Sequence, residues 1–247
     1  MFTKRKIAAL VAEFLGTGVL TLLVLSVQRS TIGVPFFIAL AAGLTLATLT
    51  FAFNSVSGAF FNPALTIAMA LARRIAATRA LLYVAVQLLG GWVAYYLYTY
   101  YTKNSFQPIG GVYNAHILVA ESVATGVFAL GWASSVYQGF TTGARAAVSG
   151  VSYVVGIIAA SSAAIGLLNP AVALGARAWV WGTYVLGPVL GAIIGVNLYG
   201  LLFAESAPVA AVAAPASRAV SSKAAVVVKK PVAKKPAAKR KPAAKRR

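Results

Sequence analysis

The segment Leu167–Trp179 reads LLNPAVALGARAW, and its tripeptide Asn169-Pro170-Ala171 repeats one found earlier at Asn62-Pro63-Ala64. Asn is a favoured N-cap of α-helices, and Pro at the first helical position gives up only an N–H that has no intrahelical acceptor. Each copy opens a short apolar piece, at 62–72 and at 169–178, that is too short to cross a bilayer. The sequence therefore predicts two half-helices that begin in apolar surroundings.

The composition is that of an integral membrane protein. Of the 247 residues 60% are hydrophobic, and only Glu13, Glu121 and Glu205 are acidic. A soluble domain cannot bury that much apolar surface and keep a polar shell. The chain has no cysteine, which excludes disulfides and thiolate metal sites. It also shows no nucleophile–base pair, metal-ligand cluster or phosphate-binding loop, so we expect neither an enzyme nor a cofactor.

Six apolar segments are long enough to span a membrane as helices of about 20 residues. The half-helices fall between the second and third spans and between the fifth and sixth. Irregular backbone at membrane depth is tolerated only where protein buries it or where it lines a water-filled cavity. Two such breaks therefore indicate a pore. The six spans are predicted at residues 7–27, 34–53, 80–101, 116–137, 145–164 and 180–203.

An internal repeat relates the two halves of the chain. The segment AEFLGTG at 12–18 recurs as AESVATG at 120–126, an offset of 108 residues, and the Asn-Pro-Ala copies are offset by 107. Because each half carries three spans, the halves must have opposite orientations in the membrane. We predict an all-α membrane protein with six transmembrane helices and two re-entrant half-helices in an inverted 3+3 repeat. Its predicted parts are a first repeat at 1–103, a second repeat at 104–204, and a disordered basic Ala/Pro/Lys tail at 205–247.

The basic residues of the loops predict the orientation of the protein in the membrane. With the N-terminus inside, the side facing the cytoplasm carries seven basic residues besides the tail, and the outer side carries three. The seven are Lys4, Arg5, Lys6, Arg73, Arg74, Arg79 and Arg145, and the three are Arg29, Lys103 and Arg177. We therefore expect both the N-terminus and the C-terminus in the cytoplasm.

These motifs together resemble the aquaporin and aquaglyceroporin, or major intrinsic protein, family. The resemblance is carried by SGAFFNPALT at 57–66, LLNPAVALG at 167–175, the two Glu-bearing repeats, and the pair Tyr83 and Gln87 in the third span. It implies a passive channel that conducts water and small neutral solutes through a lipid bilayer. It also implies a homotetramer with one pore in each subunit.

The two Asn-Pro-Ala motifs are expected to form the central barrier of this pore. The inverted repeat makes the half-helices that start at Asn62 and Asn169 meet head to head at the middle of the membrane. Each helix N-terminus carries about half a positive elementary charge, which disfavours cations and hydronium. Each Asn can cap its helix with the side-chain oxygen and offer an amide N–H to a passing oxygen, which interrupts a proton-conducting chain of waters.

The two acids at membrane depth, Glu13 and Glu121, have two readings. Ionisable residues inside a membrane are functional candidates by default, and a proton relay is one option. The alternative is that each carboxylate is buried beside its half-helix and accepts hydrogen bonds from otherwise unpaired backbone N–H groups. The resemblance favours this second, structural role.

The selectivity filter is where the sequence departs from water-selective members of the family. In those members the narrowest point is lined by four residues, among them an aromatic, a histidine and an arginine that directly follows the second motif. Matching the motifs places Ala42, Ile157, Gly166 and Val172 at the four positions. Without arginine, the filter lacks a long side chain, five donors and a fixed charge. We expect a wide, apolar filter that admits glycerol, urea or ammonia alongside water.

The tail predicted at 205–247 leaves a second function open. Its dense Lys and Arg residues are typical of segments that bind nucleic acid, or of polybasic strips on an anionic leaflet. Tethering beside a membrane favours the anionic lipid. The alternative to a channel is a structural or scaffold membrane protein of the same fold, whose basic tail binds anionic lipid or nucleic acid.

Overall fold

The computed structural model of the protein describes residues 3–28, 30, 33–105, 107–108 and 112–204. The basic tail predicted at 205–247 lies outside these residues. The described helices belong to one compact unit. In chain order they are α1 Lys4–Gln28, α2 Pro35–Phe53, α3 Pro63–Leu71, α4 Ala77–Thr102, α5 Ala115–Tyr137, α6 Thr142–Ala160, α7 Pro170–Gly175 and α8 Leu186–Leu202, with a π-helical turn at Trp181–Val185 that leads into α8.

Six helices of the described part are long and apolar enough to cross a membrane: α1, α2, α4, α5, α6, and α8 together with its leading turn. The two short helices, α3 and α7, have nine and six residues and begin at the Pro of each Asn-Pro-Ala. The predicted all-α architecture is therefore confirmed. The end of the bundle at which α1 begins is termed the inner end, and the opposite end the outer end.

All six observed spans differ from the predicted bounds at one or both ends, and the fifth and sixth differ for reasons that the structure shows. The helix α6 begins at Thr142 and ends at Ala160, earlier than the predicted 145–164, because the Thr141 hydroxyl caps it by accepting from the backbone N–H of Ala144 at 3.3 Å. The sixth span opens as a π-helix in which the Leu186 N–H bonds the Trp181 carbonyl. Pro188 lacks the N–H that a regular α-helix would need at this point, which accounts for the irregular turn.

Pairing between helices links the two halves of the chain. Within each half, α1 packs against α4, and α5 packs against α8. Across the halves, α2 packs against α6, while the half-helices α3 and α7 contact α8 and α4 of the other half. The site between the half-helices is therefore enclosed by both repeats.

The crossing of α2 and α6 depends on two glycines that are offset by 107 residues, as the Asn-Pro-Ala motifs are. A Cβ atom built on Gly150 would lie 2.5 Å from the carbonyl oxygen of Gly43, and one built on Gly43 would lie 2.6 Å from the carbonyl oxygen of Gly150. No side chain fits between two backbones at this distance. The sequence repeat thus corresponds to a direct contact on the pseudo-two-fold axis.

We expect Gly150→Ala to destabilise the protein by about 1–3 kcal/mol, because overpacking forces the two backbones apart. The matched control is Gly143→Ala on the same helix, where a Cβ atom would meet nothing within 4 Å. Thermal unfolding in detergent should show a lower midpoint for Gly150→Ala and an unchanged or higher one for the control. Equal midpoints for the two variants would contradict the close crossing.

Candidate functional site

Two loops with matching backbone conformations precede the half-helices. In the first, Ala59 and Phe61 have φ of 52° and 48°, and in the second, Gly166 and Leu168 have φ of 75° and 52°. Three of these are non-glycine residues in the left-handed region, where each costs about 1–2 kcal/mol. The surrounding structure must therefore hold the loops in place.

Glu13 of α1 holds the first loop and is fully buried. Its carboxylate accepts from the backbone N–H groups of Phe60 at 3.0 Å and Phe61 at 2.7 Å. It also accepts from the Ser57 hydroxyl at 2.6 Å and from Nε2 of Gln87 at 2.8 Å. These four hydrogen bonds offset the free-energy cost of burying a carboxyl group inside an apolar bundle.

Glu121 of α5 holds the second loop in the same way. Its Oε1 accepts from the backbone N–H groups of Gly166 at 2.9 Å and Leu167 at 3.1 Å, and its Oε2 accepts from that of Leu168 at 2.9 Å. Three consecutive backbone donors converge on one carboxylate. The carboxylate thus holds the backbone of the loop that leads into α7.

The two Asn side chains act on both halves of the structure at once. The Oδ1 of Asn62 caps α3 by accepting from the Ala64 N–H at 2.8 Å, and that of Asn169 caps α7 through the Ala171 N–H at 3.0 Å. The Nδ2 of Asn62 donates to the Leu168 carbonyl at 2.9 Å, and that of Asn169 donates to the Phe61 carbonyl at 2.8 Å. The sequence predicted the caps but not the bonds across the pseudo-two-fold axis.

These bonds fix the direction of the remaining donors. An amide group has two N–H bonds, and each Asn uses one of them on the opposite loop. The second N–H of Asn62 and of Asn169 is left for another acceptor. Because the N-termini of α3 and α7 lie behind these amides, two donors and two positive helix ends meet at one place.

The loop carbonyls form the second part of the polar lining. In a trans peptide the C=O points opposite to the N–H of the next residue. Since the N–H groups of Phe60, Phe61 and Leu167 point to the two acids, the carbonyls of Ala59, Phe60 and Gly166 point to the opposite side. The Gly166 N–H bonds Glu121 as well and directs the Ile165 carbonyl in the same way. None of these four carbonyls has a donor among the described hydrogen bonds.

Tyrosines fix two other carbonyls of the loops. The hydroxyl of Tyr83 donates to the Ser57 carbonyl at 2.9 Å, and that of Tyr153 donates to the Leu167 carbonyl at 3.0 Å. The sequence pointed to Tyr83 through the resemblance but missed Tyr153. The signal was present, since Tyr153 lies four residues before Ile157 and so shares its helix face.

Of the four predicted filter residues, the structure brings Ile157 and Gly166 into contact. A Cβ atom built on Gly166 would lie 2.9 Å from the Ile157 carbonyl oxygen and 3.2 Å from its Cγ2 atom. Val172 lies in the first turn of α7 and is 1% exposed, and Ile157 is 2% exposed. Both side chains therefore lie inside the bundle and not on its surface.

The fourth residue, Ala42, lies closer to the centre of the bundle. It is the neighbour of Gly43, which packs on Gly150 at the crossing of α2 and α6, and it is fully buried. Ile157 lies seven residues beyond Gly150, which is about 10 Å along the helix axis. An alanine side chain cannot span that distance, so Ala42 contributes little bulk at the level of Ile157.

Comparison with known proteins agrees with this architecture. Residues 1–199 match the model of the family described as major intrinsic protein. The chain is 30% identical over 209 residues to glycerol uptake facilitator protein-like 6 of Lactiplantibacillus plantarum, covering 74% of this chain and 92% of that one. It is 28% identical over 183 residues to aquaporin-4 of Bos taurus, covering 67% of this chain but only 56% of that relative's length.

A solved structure has the same fold. The X-ray structure of the aquaglyceroporin from Plasmodium falciparum matches with a TM-score of 0.65 and 18% identity, over 80% of this chain and 96% of that one. The family match covers both Asn-Pro-Ala motifs and both loop-holding acids. The chain belongs to the major intrinsic protein family, whose members are passive membrane channels and not enzymes.

Proposed function

We propose that the protein is a passive channel that conducts small neutral solutes such as glycerol, urea or ammonia together with water. The observation that carries this proposal is the pair of Asn residues that cap the half-helices, each with one amide N–H left for a passing oxygen. A solute with oxygen acceptors can bond to both amides in turn as it passes the positive helix ends. Cations are disfavoured at the same point by those helix ends.

The solute range of the proposal rests on Val172, Ala42 and Gly166. None of them carries a long side chain, a charge or a side-chain donor, so nothing at these positions competes with a polyol for space. A relative named as a glycerol uptake facilitator and a structural match to an aquaglyceroporin support the same range. The filter is therefore proposed to discriminate weakly by size among small neutral molecules.

The orientation, assembly and loop supports belong to the same proposal. We propose that the inner end, with both termini, faces the cytoplasm, and that four copies assemble with one pore each. We propose that Glu13 and Glu121 hold the loops and do not relay protons across the membrane. Binding of the tail to anionic lipid stays a prediction from its composition.

The filter proposal predicts a charge-dependent loss of solute flux in Val172→Arg. In stopped-flow measurements on proteoliposomes we expect glycerol and urea permeability to fall about tenfold and water permeability to fall much less, since arginine adds bulk and a fixed charge. Val172→Leu adds bulk without charge and is the matched control. Wild-type solute permeability at the level of empty liposomes would overturn the wide-filter proposal.

The absence of cysteine from the sequence allows a direct test of which residues line the passage. We expect mercurial reagents to leave the wild type unaffected and to block Val172→Cys and Ile157→Cys, because only a thiol in the passage obstructs it when modified. Val155→Cys is the matched control, since Val155 lies on α6 but is 48% exposed on the outer face of the bundle. Block of the control together with insensitivity of the two filter variants would show that the lining has been misassigned.

The role proposed for the acids predicts that Glu121→Gln loses structure rather than proton transport. An amide cannot accept from all three backbone N–H groups that Glu121 binds, and each buried donor left unpaired costs about 1–3 kcal/mol. We expect a lower unfolding midpoint and lower water permeability. Ser134→Ala is the control, because its hydroxyl bonds only the Gly131 carbonyl within α5. A stable variant that conducts water normally but no longer passes protons would favour a relay instead.

A further inference from the structure

A buried arginine lies at the inner end of the bundle. Arg145, in the first turn of α6, is 8% exposed. Its Nη2 donates to the Gly58 carbonyl at 2.8 Å, and its guanidinium carbon lies 5.2 Å from the centroid of the Trp132 ring. Burial of a charge is unfavourable unless hydrogen bonds replace its hydration. One carbonyl and one ring face replace only part of what five N–H donors lose.

Buried polar atoms without a partner are most frequent at the same end of the bundle as this arginine. The described residues contain eight buried side-chain N or O atoms that have no hydrogen-bond partner, and five of them lie on the inner halves of α2, α5 and α6 or directly beside them. Buried polar groups are normally paired with protein or water. The hydrogen-bonding capacity of these atoms is therefore left for a ligand other than the described protein. The five atoms are Oγ1 of Thr50, Oδ1 of Asn54, Nε1 of Trp132, Nε of Arg145 and Oγ of Ser149.

Arg145 and Trp132 contact the loop that leads to the first Asn-Pro-Ala motif. Gly58, which accepts from Arg145, lies in the loop that carries Phe60 and leads to Asn62. The ring centroid of Phe60 lies 5.3 Å from that of Trp132, and both side chains are almost fully buried. Arg145 and Ile157 belong to one buried face of α6 and are separated by about 18 Å along its axis. The arginine thus lies at the opposite end of the passage from the filter positions.

The internal repeat allows the residues at the inner end of the bundle to be compared with their counterparts at the outer end. An offset of 107 relates Phe60 to Leu167 and Arg145 to Ile38, and an offset of 108 relates Trp132 to Val24. Three aliphatic residues at one end therefore correspond to two aromatic residues and a cation at the other. The backbone repeats and these side chains do not, so the two ends differ in chemistry.

We propose that Phe60, Trp132 and Arg145 form a second selectivity site at the inner end of the pore, which binds the oxygen atoms of small neutral solutes and excludes cations. The guanidinium Nε and the indole Nε1 are two buried N–H donors with no acceptor in the described protein, and they suit a hydroxyl or carbonyl oxygen. The two rings supply an apolar wall for the carbon side of the solute. The fixed charge that Val172 does not provide at the outer filter is provided here.

This inference rests on the proposed channel function, and the experiment separates the two. Proteoliposomes of the full chain are assayed for water and glycerol permeability by stopped flow and for sodium leak with an internal sodium-sensitive dye. For Arg145→Met we expect sodium leak to rise about tenfold and the ratio of glycerol to water permeability to fall about threefold, since both the charge and the donor are lost. For Trp132→Phe we expect the lower ratio with sodium still excluded, because only the indole N–H is removed.

The matched control is Arg73→Met, which removes an exposed arginine at the end of α3, outside the cluster. It should leave both the ratio and the sodium leak at the wild-type values. If Arg145→Met does not yield monodisperse protein, Arg145→Lys takes its place. This variant should still exclude sodium but should lower the ratio of glycerol to water permeability. A wild type that passes neither water nor glycerol would overturn the channel function. A conducting wild type whose Arg145 and Trp132 variants behave like Arg73→Met would overturn the inner site alone.

Discussion

Five backbone N–H groups that point at two buried carboxylates are the constraint on which the rest of the structure depends. A loop at membrane depth has no water to bond, so its N–H groups need acceptors from the protein itself. Glu13 and Glu121 supply them to the loops that precede α3 and α7. Once the N–H groups are directed to the acids, the carbonyls must face the other way. The acids therefore decide which side of each loop is polar.

The Asn residues add a second constraint that acts between the halves. Each side chain caps its own helix and bonds the loop of the other half, so neither half-helix can shift without breaking a bond in its partner. These bonds hold the two positive helix ends close together, although like charges repel. Both sets of bonds leave one N–H on each Asn and several loop carbonyls without a partner in the described hydrogen bonds. A solute that can donate and accept, as water and polyols do, suits such a lining.

Much of this arrangement was predictable from the sequence, because it depends on polar and Pro residues that seldom occur inside an apolar membrane segment without a structural or functional role. Paired Asn-Pro motifs, membrane-depth acids and an offset near 107 leave few folds, and the structure has the caps at Asn62 and Asn169 as expected. What the sequence did not reveal depends on distances between segments far apart in the chain. The bond from Asn62 to Leu168 and the contact between Gly43 and Gly150 are of this kind. The position of Ala42 near the crossing also follows from packing that register alone cannot show.

The environment of Arg145 was also not predictable from the sequence. In the sequence it is one more basic residue at the end of a span, and its charge counts toward orientation. In the structure its guanidinium is buried against Trp132 and bonded to the first loop. A basic residue counted toward membrane orientation is expected to be exposed at the end of a span. A buried one also loses hydration, and this loss raises its free energy unless hydrogen bonds replace the water. An inverted repeat makes the two ends of the backbone equivalent, so selectivity must come from side chains that break the symmetry. The proposed outer filter is aliphatic and the inner end is cationic and aromatic, so under the two proposals size and charge would be selected at different ends of one passage.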